Sequence, residues 1–152
     1  MAPRTFLAMG TWSTDILGND SALDALADLA HSGFSFTGLA EELQEDYIDV
    51  SAGAAVLALI EVALAVRGLR ELQQADAVEA GRAVLDDERA AWLLAQTDRV
   101  LAPNSEVYDL WLETSDESFR EWRGKVDAAI EDLRGALGSA APAGAMGGGS
   151  GD

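Results

Sequence analysis

Apolar residues recur along this chain three and four apart, the spacing of a helix face, and almost nowhere alternate as in a strand. The clearest run is Phe119, Trp122, Val126, Ile130, Leu133 and Leu137, a continuous seam on a helix that Thr114 and Glu117 open as a capping box. About three heptads is too short to define a coiled coil, so the seam predicts packing within its own domain. Upstream, Asn19, Asp20 or Ser21 caps a helix to about His31, with Ala22, Leu23, Ala25, Leu26, Leu29 and Ala30 as its apolar face. Ser21 with Asp24 fits the S-x-x-D capping pattern, and Gly33 is the stop. Thr37 with Glu41 and Glu42 opens a second helical stretch.

The run from about Tyr47 to Arg70 is the longest apolar helix in prospect. Its small residues Ala52, Gly53, Ala54, Ala55 and Ala58 let neighbours approach closely, which predicts a central position. From Glu71 to Ala83 the pattern weakens around Gly81, as in a loop with a short helix. Asp86 or Asp87 restarts a helix bearing Ala90, Leu93, Leu94 and Leu101, and Pro103 ends it. Asn104 or Ser105 then caps a short helix with Val107, Leu110 and Trp111. Phe34-Ser35-Phe36 is too short to count as a strand. The expected architecture is all-α, a single compact domain of about five helices ending near Leu137. The Gly-, Ala- and Ser-rich stretch 138–152 cannot bury enough surface to offset chain entropy and is expected to be a flexible tail.

Length and composition agree with one globular domain: 152 residues, 49% of them hydrophobic, are enough for a core. Charge changes the picture more. The formal net charge is −17, and from Thr5 to Val66 there are ten carboxylates and no lysine or arginine. Phosphate binding needs clustered bases, so nucleic acid is an unsuitable partner and a basic protein a better electrostatic match. Acidic composition also keeps proteins soluble whatever they bind. Cysteine is absent, which excludes disulfides and thiolate metal sites. No secretory signal is visible at the N-terminus, and the apolar stretch Ala52 to Val66 contains Glu61 and is short of the ~20 residues of a membrane span. The expected compartment is the cytoplasm, with no membrane contact.

Chemistry is sparse. Glu61, set among Leu57, Ile60, Leu64 and Ala65, is expected to be partly desolvated with a raised pKa. It can serve as a general acid or base, or as an acceptor for the Trp12 indole or for backbone N–H groups between Gly10 and Asp20. The second use is the commoner one for a buried polar group. The only histidine, His31, shares a helical face with Asp24 and Asp28, yet each also suits the helix end it occupies. Glu41, Glu42, Glu45, Asp46 and Asp49 lack the loop that organises calcium ligands, so no metal or cofactor is expected. No nucleophile elbow, phosphate loop or H-E-x-x-H is present.

Met9-Gly10-Thr11-Trp12, then Asn19-Asp20 with Ala22-Leu23-Asp24, the Ala-rich helix around Glu61-Val62, and Asn104-Ser105-Glu106 with Leu110-Trp111 together resemble a bacterial family, domain of unknown function 4259. The resemblance runs from about Met9 to Leu137. It implies a small, mainly helical protein and no particular activity. Members of that family tend to begin at the Met-Gly-x-Trp motif, so the resemblance implies Met9 as the usual start, residues 9–137 as the helical domain and residues 1–8 as an N-terminal extension, while Ser13 stands where glycine is common. The motif itself is expected to be one structural unit: Trp12 and the Asn19-Asp20 turn, joined by a loop that Gly10 and Gly18 make pliable, clamped over Glu61.

The residues fit two functions. The first is a non-catalytic interaction protein, of the immunity or inhibitor kind, that binds a basic protein through Asp15, Asp24, Asp28, Glu41, Glu42, Glu45, Asp46 and Asp49. The other is a small hydrolase or transferase using Glu61 as general acid or base.

Overall fold

The computed structural model describes residues 15–31 and 34–140. They form seven helices: α1 (Asp20–Ala30), α2 (Phe36–Leu43), α3 (Val50–Val66), α4 (Ala75–Val84), α5 (Asp87–Val100), α6 (Glu106–Leu112) and α7 (Asp116–Ala140). There is no strand among the described residues; Ile48 and Ser105 form an isolated parallel bridge. The all-α architecture is as expected, with seven helices among the described residues rather than about five. Short helices such as α2, α4 and α6 are marginal alone, but each packs on α3, and that contact sustains them.

α3 touches all six other helices. Every residue from Ala52 to Ala65 is buried, so the helix has no polar side to turn to water and must be surrounded. Its small residues set how near the neighbours come. A Cβ on Gly53 would lie 2.8 Å from Val107 Cγ1, which puts α6 directly on the α3 backbone. Gly81, read from sequence as a weak point, is a second such approach: a Cβ there would meet Val62 Cγ1 at 2.6 Å. It lets α4 run unbroken against α3 and does not interrupt it.

The ends of α3 differ from the expected Tyr47 and Arg70. At the start, Ile48 N–H donates to Asn104 O and Glu106 N–H to Ile48 O, both at 2.8 Å, so residues 47–49 are drawn into the bridge and out of the helix. At the finish, Gly68 adopts φ 81°, and Leu69 N–H reaches back to Leu64 O at 2.9 Å, a left-handed cap that reverses the chain.

The α7 seam packs inward as its spacing predicts. Trp122, Val126, Ile130 and Leu133 are buried, with Phe119 and Leu137 partly buried at the ends. Trp122 stacks on Trp111 of α6, centroids 5.2 Å apart and planes 8° from parallel. The cap is Ser115, whose Oγ accepts from Ser118 N–H at 3.0 Å, while Thr114 Oγ1 donates to Trp111 O; the expected Thr114–Glu117 box is not formed. α7 also continues to Ala140, beyond the expected boundary at Leu137. At α1 the cap is Asn19, whose Oδ1 accepts from Ala22 N–H at 2.8 Å, which leaves Ser21 inside the helix. Gly33, the N-terminal stretch 1–8 and residues 141–152 lie outside the described residues. Among those described, no helix is long and apolar enough to cross a membrane.

Candidate functional site

The sequence candidates fall into two places, a cleft at Glu61 and an acidic face on α1 and α2. Glu61 belongs to α3 and is 8% exposed. The left-handed cap at Gly68 turns the chain so that Arg70 returns beside it, with Nε 3.6 Å from Glu61 Oε1. Arg70 Nη2 donates to Asp132 Oδ2 of α7 at 3.0 Å, and Nη1 to Leu69 O at 3.0 Å. One guanidinium thus ties α3, the loop after it and α7 together. Asp15 Oδ1 pairs with Lys125 Nζ at 2.6 Å. Asp15, Glu61, Arg70 and Lys125, with Leu17 and Gln74, line an open cleft of about 500 Å³.

Burial pushes the Glu61 carboxyl above its ordinary value of 4.5, Arg70 pulls it back, and Asp132 and Asp15 push it up again. A carboxyl so placed can hold or release a proton at the cleft wall. Its raised value is the one the apolar neighbours predict. Its described partner is Arg70, which the sequence reading did not name; Gly10 and Trp12, the other expected partners, lie outside the described residues. Arg67 and Arg70 are the first bases after the base-free stretch, and that was the available signal. Asn19 and Asp20 form the entry to α1, Asn19 Nδ2 also donating to Ile16 O at 3.2 Å.

Of the eight partner candidates, Asp15 belongs to the cleft through Lys125. The other seven are exposed, and none forms an ion pair among the described residues. Asp24 and Asp28 of α1 and Glu42 of α2 surround a second cleft, about 390 Å³, with Ser35 and Ser51 on its walls. Glu41 lies beside Glu42, while Glu45 and Asp46 follow α2. Asp49 stands at the start of α3 without a side-chain capping bond. His31 is the exposed C-terminal cap of α1, its Nδ1 2.8 Å from Ala27 O. Among the described residues no group of three His, Cys, Asp or Glu is disposed to hold a metal ion.

The bases explain why the acidic face stays acidic. Arg67 pairs with Asp87 at 2.7 Å, Arg123 with Asp127 at 3.0 Å, Arg82 with Glu79 and Arg134 with Glu131. Arg89 lies over the Phe36 ring, 4.4 Å from its centroid, and Arg99 donates to the carbonyls of Leu43 and Glu45. These six arginines are engaged where they stand.

The chain belongs to the family described as Domain of unknown function (DUF4259), whose profile matches residues 10–125. That span takes in Asp15, Glu61, Arg70 and Lys125 of the cleft and the whole acidic face, while Asp132 lies beyond it. No curated protein and no solved structure matches the chain.

Proposed function

We propose that this protein is a non-catalytic interaction protein, of the immunity or inhibitor kind, that binds a basic protein through its acidic surface. The observation that carries the reading is the convergence of Asp24, Asp28 and Glu42 on one cleft, with no cation in ion-pair reach among the described residues. Carboxylates held in this way attract basic surfaces at long range and weaken as salt screens them. Immobilised protein exposed to a lysate of the source organism should retain basic proteins at low salt and release them as salt rises. Reversing the charge of Asp24, Asp28 and Glu42 together should weaken the retention. Recovery of no basic protein at either salt would overturn the reading.

A second reading has its own observation. Glu61 lines an open cleft with its pKa raised by burial and a guanidinium beside it, which suits a general acid or base in a hydrolase or transferase. Against it stands the pairing of both cleft cations, Arg70 and Lys125, with acids of the chain itself. A hydrolytic activity that Glu61→Gln abolishes without unfolding the chain would establish it.

A further inference from the structure

The segment between α2 and α3 is fixed to α6 by more than its two bridge bonds. Val50 N–H donates to Glu106 Oε1 at 2.9 Å, so the start of α3, which Asp49 does not cap, is capped from 56 positions away in the chain. Tyr47 is thereby set against α6, where its hydroxyl donates to Asp109 Oδ2 at 3.1 Å. Despite this anchoring Tyr47 is 48% exposed, and Leu112, one turn beyond Asp109, is 51% exposed. Among the described residues only Leu69 is another large apolar side chain so open to water.

An exposed aromatic ring held by its hydroxyl has little freedom left to lose on binding, which is the property that makes tyrosine effective at the centre of interfaces. The surroundings select the occupant. Partial desolvation, the bond to Asp109 and the charges of Asp109, Glu106 and Glu113 all push the phenol above its ordinary value of 10.0, so the charges acting on it are carboxylates. Asp46 and Asp49 flank it in the chain, both exposed. A second copy docking symmetrically would set these carboxylates against themselves. A partner with lysines or arginines around an apolar centre meets both features.

We propose that Tyr47 and Leu112 are the apolar centre of a docking surface for a basic protein, with Asp109 and Glu113 as its acidic rim. This rests on the interaction reading above and goes beyond it by placing the centre at the α2–α3 junction and α6, outside the cleft between α1 and α2.

The test is a titration of isotope-labelled protein, followed by amide NMR at low ionic strength, with a short amphipathic peptide bearing arginines on one face and leucines on the other. Shifts should concentrate at Tyr47 and residues 109–113. The Tyr47→Ala/Leu112→Ala variant should bind about tenfold more weakly, as removal of an interface anchor does. Asp109→Lys/Glu113→Lys should lose binding as well, and circular dichroism should show unchanged helicity in both; Glu106 is spared because it caps α3. Shifts confined to Asp24, Asp28 and Glu42, with Tyr47→Ala/Leu112→Ala unaffected, would overturn this surface and leave the interaction reading standing. Absence of binding anywhere at low salt would overturn both. Self-association abolished by Tyr47→Ala would reassign the surface to a second copy and overturn the proposal.

Discussion

The Glu61 cleft and the acidic face of α1 and α2 are built from the same kind of side chain in opposite circumstances. At the cleft, Glu61 on its wall and Asp132 outside its lining share Arg70, and Asp15 holds Lys125, so each acid bridges separate parts of the fold. On the face, Asp24, Asp28 and Glu42 converge without a cation among the described residues, and their proximity costs the fold some repulsion. The difference assigns the two sets their work. Cleft charges hold α3, α7 and the loops together; face charges do little for the fold, which is the condition the proposed interaction requires.

The sharpest way to break that comparison is Arg70→Ala. It leaves Glu61 buried and without its cation, and Asp132 without its donor, so unfolding in urea at neutral pH should show a loss of about 2–3 kcal/mol, somewhat under the cost of breaking a fully buried pair because Arg70 is partly exposed. Glu61→Gln sharpens it through pH. The folded-state pKa of Glu61 is raised, so its contribution is fully present below 4.5 and is lost as pH rises through the folded value. Urea midpoints of the wild type measured against Glu61→Gln should therefore fall relative to the variant across that window, and parallel curves would contradict the assignment. Lys125→Ala removes a pair whose side chains are 40% and 68% exposed, and should cost no more than ~1 kcal/mol.

Legibility in the sequence followed the range of the forces involved. The α7 seam was readable because one-sided burial leaves a period of 3.6, and α3 because burial on every side leaves an unbroken apolar run. Its first turn was misplaced because Ile48 bonds to Asn104 and Glu106, partners that no local pattern announces. Gly81 looked like a breaker because a glycine needed for closeness to Val62 is indistinguishable, in sequence, from one needed for a turn. At the site, Glu61 stood out as a carboxylate among aliphatics. Its partner Arg70, and the link onward to Asp132 across 62 positions, depend on how the chain reverses at Gly68. The charge bias before Val66 was plain, yet which of its acids meet at one cleft is decided only by the orientation of α1 against α2.

The central claim, that the acids of the α1–α2 face are surplus to folding, is tested most directly by the urea midpoint of the Asp24→Asn/Asp28→Asn/Glu42→Gln variant beside the wild type at low salt. These side chains are exposed and unpaired among the described residues, so the variant should match the wild type to within about 0.5 kcal/mol or exceed it as repulsion is relieved. A variant less stable by more than ~1 kcal/mol would show that these carboxylates hold the fold together, and would contradict the account.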